Sequence, residues 1–255
     1  MTNTQILHIA MEQSAIDLGC RTEDFLKEEN TVVYSTANAQ ARRYLKLPFA
    51  CNLVSYGSNI VASVSPALEE TVRAYIDKYT FYHCFETPNL HALDDALLPF
   101  GLRSCFMAEY WLPDADRLAP LPCPYETRLL TPEDFAELYL PQWSNALNTA
   151  RPQLDVLGVG AFDGGELIGL AGCSADCDTM WQIGIDVLPA YRRQGVASAL
   201  TAALALECLQ LGKVPFYCSA WSNLRSARNA LRSGFRPAWV ELTARPAQVV
   251  AGMNL

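Results

Sequence analysis

Residues 186–197 read Asp186-Val187-Leu188-Pro189-Ala190-Tyr191-Arg192-Arg193-Gln194-Gly195-Val196-Ala197. An apolar strand stops at Pro189, a tight basic loop follows, and a helix begins. The first N–H groups of a helix have no intrahelical partner, and the helix dipole favours an anion beside them. Gly195 and Ala197 lack bulk, so phosphate oxygens can approach the backbone, and Arg192 and Arg193 add positive charge. The stretch has the makings of a pyrophosphate cradle; the bland alternative is a strand-to-helix turn carrying solvated arginines.

The surrounding pattern sets this loop in a mixed α/β frame. Before it, Tyr125–Leu130 reads as a strand, and Thr131-Pro132-Glu133-Asp134 as a helix start with acidic residues in its first turn. Val156–Phe162 and Leu167–Ala171 flank Asp163-Gly164-Gly165, a hairpin signal, and Met180–Val187 is a third apolar run. After it, Leu200, Leu204, Cys208 and Leu211 form the stripe of a helix over 196–211, with Gly212 as its stop. A strand at Val214–Cys218, a helix at Asn223–Arg232 and a strand at Phe235–Leu242 complete the order βαβββαβαβ. Other phosphate motifs fail: there is no Gly-x-x-x-x-Gly-Lys loop, and Gly158 and Gly160 lie inside a strand rather than in a strand-to-helix turn.

Upstream, Leu112–Pro124 holds four prolines in thirteen residues, which favours an extended linker. The organisation expected is therefore an α/β domain over 1–115, a linker over 116–123 and a second domain over 124–255. In the first domain Ile6–Leu18 has helical spacing, and Thr31–Tyr34, Cys51–Tyr56, Asn59–Ser63 and Phe106–Trp111 read as strands. Ser65-Pro66 opens a helix running to about residue 79. Tyr82-His83-Cys84-Phe85 would line a pocket or, more blandly, end a core strand.

Composition bounds the function. With 51% hydrophobic and 18% charged residues in 255, the chain is globular, and its formal charge of −8 argues against nucleic acid or an anionic membrane as partner. An acidic surface suits a cationic substrate such as an amine. No window approaches the roughly 18 apolar residues a membrane span needs, and residues 1–10 do not form a secretory signal. Nine scattered cysteines without a Cys-x-x-Cys pair fit a reduced, cytoplasmic protein; Cys173 and Cys177 have no histidine nearby, so no metal is expected.

Arg192-x-x-Gly195-x-Ala197, preceded by Val187-x-Pro189-x-Tyr191, resembles the acyl-CoA signature of the GNAT acetyltransferases, and Asn223-x-x-Ser226 with Gly234-Phe235 resembles that family's next block. The resemblance covers residues 124–245. It implies a mostly antiparallel mixed sheet flanked by helices, with the strand ending near Val187 splayed from the one near Cys218. It further implies acetyl-CoA as cosubstrate: pantetheine along Asp186, Val187 and Leu188, and pyrophosphate on the N–H groups of Arg193, Gln194, Gly195, Val196, Ala197 and Ser198, with Arg192 nearby. Asn223 and Ser226 would hold the pantetheine amides. A small-molecule or peptide amine would attack the thioester directly, a backbone N–H near Val187 stabilising the oxyanion.

The sequence departs from that family at one position. The tyrosine that acts as general acid in many members would fall seven residues after Asn223, where this chain has Ala230. Tyr217, Tyr191 or water would substitute as acid, and a carboxylate or a water chain would take the amine's proton, Asp186 being the candidate base, since all three histidines precede the linker. Each has a packing alternative, and Cys218 reads as a buried strand cysteine before an acyl carrier. A non-catalytic acyl-CoA-binding module is the competing function. The hairpin at Cys51–Ser63 and the following helix suggest a degenerate second GNAT-like half.

Overall fold

The computed structural model describes residues 1–253. The helices are α1 (Asn3–Leu18), α2 (Glu69–Ile76), α3 (Thr87–Leu97), α4 (Val196–Gln210), α5 (Leu224–Arg232) and α6 (Ala247–Met253). The strands are β1 (Thr31–Tyr34), β2 (Cys51–Ser55), β3 (Val61–Val64), β4 (Leu102–Pro113), β5 (Glu126–Leu130), β6 (Asp155–Asp163), β7 (Glu166–Ser174), β8 (Met180–Val187), β9 (Val214–Ser219) and β10 (Phe235–Pro246). The fold is mixed α/β and mostly antiparallel, as read from the sequence.

The chain forms two compact units that do not follow the expected limits of 1–115 and 124–255. One comprises Met1–Ala10 with Trp111–Pro237, the other Met11–Tyr110 with Ala238–Leu255. The division thus falls inside α1, β4 and β10. The reason is non-local pairing: Val240–Thr243 of β10 pair antiparallel with Asn52–Ser55 of β2. In this second unit β2 also pairs with β3, β3 runs parallel to β1, and α2 and α3 cover a core containing Leu53, Ile60, Leu68, Ile76, Leu93 and Leu242. Tyr82–Phe85 is not a strand end; His83–Phe85 is a 3-10 turn with Cys84 buried and Tyr82 exposed.

In the first unit the sheet order is β9-β8-β7-β6-β5, antiparallel except for β8 and β9. The Gly164-Gly165 turn has φ of 57° and 92° and joins the paired Asp163 and Glu166, a two-residue turn of the kind that matches strand twist. α4 packs on β7 at Gly169, where an added Cβ would lie 3.0 Å from Val196 Cγ1. It ends as expected at Gly212, φ 73°. The proline-rich stretch is not extended throughout: Asp114–Leu118 is a hydrogen-bonded turn, with Asp114 N donating to Gly234 O at 2.8 Å and Asn3 Nδ2 donating to Asp114 Oδ1 at 3.0 Å.

One expected helix is absent. After Thr131 only a 3-10 turn forms, Pro132–Asp134, capped reciprocally by Thr131 and Asp134, and the chain continues through further turns at Pro141–Trp143 and Pro152–Leu154. The sheet beneath explains this. Gly158, Gly172 and Gly184 lie side by side across β6, β7 and β8 and form a lane without side chains. A Cβ at Gly184 would sit 1.7 Å from Asn145 O, and one at Gly172 would sit 2.2 Å from Ala146 O. The backbone of 145–146 lies directly on the lane, far closer than a helix of diameter about 10 Å could approach. Phe135, Trp143, Ala146 and Leu147 close a small core over it with Leu130 and Leu170.

Candidate functional site

β8 and β9 start together and then part. Met180, Trp181 and Gln182 pair in parallel with Val214, Pro215 and Phe216, and among the described residues the pairing stops there, although β8 runs on to Val187 and β9 to Ser219. The expected splay is present. Gln182 Nε2 contacts Cys218 Sγ at 3.2 Å at the fork, and Cys218 is half-buried.

The register fixes which backbone groups face the opening. Leu188 N donates to Ile168 O at 2.9 Å, directly opposite in the β7–β8 ladder, so 184, 186 and 188 exchange hydrogen bonds with β7. The N–H and C=O groups of Ile183, Ile185 and Val187 therefore face the β9 side. Of the three residues named for the pantetheine edge, only Val187 presents its backbone there; Asp186 and Leu188 are spent on β7. Ile185, which the sequence reading passed over, joins Val187. The Val187 carbonyl already accepts from Arg192 Nε at 2.8 Å.

The loop at the start of α4 is left-handed. Arg193 has φ 64°, alone among the described non-glycine residues at positive φ, and Gly195 has φ 86° with open space where a Cβ would stand. These two left-handed residues flank Gln194 directly before the N–H groups of Val196, Ala197 and Ser198, which the first turn of α4 leaves without intrahelical partners. The loop is held from several directions. Gln194 Oε1 accepts from Tyr125 Oη at 2.7 Å, Gln194 Nε2 donates to Ala190 O at 3.2 Å, and Tyr191 Oη donates to Asp163 Oδ2 at 3.0 Å. Arg192 is thus a brace to the end of β8, while Arg193 is exposed without a partner of this kind.

On the facing side, Asn223 caps α5, its Oδ1 accepting from Ser226 N at 3.2 Å. Tyr217 is buried on β9, in the same core as Ala230 and Phe235. Burial, the largest cause, pushes its pKa above the usual tyrosine range, so the phenol holds its proton at neutral pH. Ala230 is fully buried in the same core.

Asp186 does not stand free as a base. Its carboxylate accepts from Asn145 N at 2.8 Å, Asn145 Nδ2 at 2.6 Å and Ala146 N at 3.0 Å, fastening the loop that lies on the glycine lane. The sequence could not show this, because the partners are 40 and 41 residues away. Asp186→Ala should lower stability by about 1–3 kcal/mol, the cost of orphaning these donors. A catalytic base would behave otherwise, with turnover falling about 10²–10⁴-fold at unchanged stability. Paired denaturant melts and rate measurements separate the two.

Residues 130–238, less than half of the chain, match the family model described as GNAT acetyltransferase, and this segment is of the GNAT type. No curated protein matches the chain. Among solved structures, it is similar to a GNAT-family protein from Novosphingobium aromaticivorans assigned as an acetyltransferase. The identity is 21%, over 56% of this chain and 66% of that one, just under two thirds of its length, with a TM-score of 0.43. A GNAT-family acetyltransferase from Colwellia psychrerythraea is 14% identical over 79% of this chain and 84% of its own, TM-score 0.46. An aminoglycoside N-acetyltransferase in complex with CoA is 22% identical over 44% of this chain and 91% of its own, TM-score 0.35. Among the described residues no helix is long and apolar enough to cross a membrane, and no group of three His, Cys, Asp or Glu residues is placed to hold a metal ion.

Proposed function

We propose that the GNAT-type segment transfers an acetyl group from acetyl-CoA to an amine by direct attack in a ternary complex. The observation that carries this reading is the parting of β8 from β9 immediately beside the left-handed Arg193–Gly195 loop at the start of α4. The gap offers an extended amide chain the strand edge at Ile185 and the N–H of Val187, whose carbonyl is taken by Arg192. The loop offers a pyrophosphate the N–H groups of a helix start and a helix dipole. Both would be engaged at once by a molecule whose pantetheine arm and pyrophosphate are joined, as in coenzyme A.

In this reading the Val187 N–H faces the thioester carbonyl and stabilises the charge that develops on its oxygen. The attacking amine loses its proton to water, since the Asp186 carboxylate is committed to the 145–146 loop. Tyr217 supplies a proton to the departing thiolate. Its protonated, buried hydroxyl supports that role, and the thiol's pKa near ~8.5 makes the requirement modest. Tyr217→Phe should then slow turnover about 10²-fold, the lower end for a positioned acid, while leaving the Kd for acetyl-CoA unchanged.

Ala230, closed in the core where many relatives carry their acid, favours a second reading, a module that binds acyl-CoA without turnover. Release of free thiol from acetyl-CoA across a panel of small amines and peptide N-termini decides between them. Amine-dependent release supports the transferase, whereas tight binding with no release at any amine supports the module. A soluble, cytoplasmic protein with a small or peptide acceptor is the setting we propose with it.

A further inference from the structure

β5 is the last strand of its sheet and, among the described residues, pairs with β6 alone. Its outer edge is open, and Glu126, Thr127, Arg128 and Leu129 are all exposed. An open edge is a template for another strand, which folded proteins commonly blunt with proline, a bulge or unbalanced charge. β5 contains no proline and runs in unbroken register against residues 158–162. Its two charges, Glu126 and Arg128, are of opposite sign.

The ladder settles which backbone groups this edge offers. Leu188 N donates to Ile168 O, so Ile168, Leu170 and Gly172 spend their backbone groups on β8. Gly169, Ala171 and Cys173 then face β6, opposite Ala161, Val159 and Leu157. The next alternation gives Gly158, Gly160 and Phe162 to β5, opposite Leu130, Arg128 and Glu126. Thr127 and Leu129 are left with their N–H and C=O groups pointing away from the sheet.

The side chains along the edge match a second copy of themselves. In an antiparallel pair centred on Thr127, Glu126 of each copy lies opposite Arg128 of the other. These are the close, non-hydrogen-bonded positions, where opposite charges stabilise a strand pair. Tyr125 falls opposite the other copy's Leu129, whose apolar side chain is 51% exposed in the single chain. Centring the pair one residue later would instead set the two Arg128 side chains against each other, a repulsive arrangement. Within one chain Arg128 already holds Glu126, Nε to Oε1 at 2.7 Å and Nη2 to Oε2 at 3.1 Å. Its guanidinium also lies 4.4 Å from the centre of the Phe162 ring, so both charges are ordered before any partner arrives.

We propose that two copies of this chain associate through β5, antiparallel about Thr127, joining their sheets edge to edge. A second copy fits better than an unrelated strand because the edge complements itself at each position from 125 to 129. The assignment is independent of what the cradle holds.

Sedimentation equilibrium of the full chain tests it. Wild type should pass from one to two chains per particle as concentration rises toward about 100 µM, the weak range of a small contact. E126R, which sets like charges opposite each other, should weaken association at least about tenfold. T127P removes the central outward N–H, a change that an edge strand tolerates, and should do the same. E126R/R128E keeps opposite charges face to face and should restore the pair. Apo melting temperatures check that each variant folds, and T127P decides the matter if E126R does not. A wild type that stays single throughout would overturn the proposal. So would a dimer that survives both E126R and T127P, or a double exchange that remains a single chain.

Discussion

Gly195→Glu should abolish acetyl-CoA binding while the protein still folds. At φ 86° the residue occupies the left-handed region, and nothing lies within 4 Å of an added Cβ, so the side chain has room but the backbone is strained. That strain costs about 1–2 kcal/mol. The larger effect is electrostatic and steric: a carboxylate placed over the N–H groups meant for a pyrophosphate both fills the cradle and repels the ligand. A thermal melt with and without acetyl-CoA reads the outcome. At about 100 times its Kd the ligand stabilises wild type by about 2.7 kcal/mol, or roughly 5–10 °C for a chain of this size. The variant should melt slightly lower than wild type without ligand and show no shift with it. Gly195→Ala, carrying the strain but not the charge, should keep most of the shift. A ligand shift in Gly195→Glu equal to that of wild type would place the phosphates elsewhere.

Gly184→Ala, the smallest substitution available, should be among the most damaging. Its Cβ would lie 1.7 Å from Asn145 O and 2.6 Å from Asn145 C, and both belong to backbone rather than to a flexible side-chain end. The 145–146 segment would have to lift off the sheet. In doing so it would abandon its three hydrogen bonds to Asp186 and open the small core around Trp143 and Leu147. Overpacking of this kind together with lost hydrogen bonds should cost at least about 3 kcal/mol. The apo melt should fall by roughly 6–12 °C. Amide exchange should rise at Asn145 and Ala146, the two N–H groups that Asp186 holds. A melt within a degree of wild type would show that the loop does not rest on the lane.

What the sequence discloses and what it withholds divide along one physical line. Asp163-Gly164-Gly165, the Gly212 stop and the Asp186–Ala197 passage were legible because each is decided within a few residues, by left-handed glycines, a proline or a helix start. The segment after Thr131 was misread for the opposite reason. Its Thr-Pro-Glu-Asp start is a sound local signal, but three glycines on three other strands decide the path of the chain that follows. The hydrogen bonds that Asp186 accepts from Asn145 and Ala146 were not legible, since the loop that supplies them is distant in sequence. Tyr217 reads from the sequence as one tyrosine among several, because its burial on β9 depends on packing against residues distant in the chain. The division of the chain inside α1, β4 and β10 rests on packing that no local pattern encodes.

The way Asp186 grips its loop bears on how freely this protein can change. Two of its three bonds go to main-chain N–H groups, which every residue except proline supplies. The lane likewise asks only that its own three positions stay bare, and asks little of the side chains lying above it. Heredity can therefore rewrite Asn145 and its neighbours while the route of the loop is conserved by residues elsewhere. A library randomised over 144–150 should yield many folded members with altered surfaces next to the end of β8. One randomised at Gly158, Gly172, Gly184 and Asp186 should yield few. The segment that lies beside the end of β8 is the part whose course depends least on its own letters.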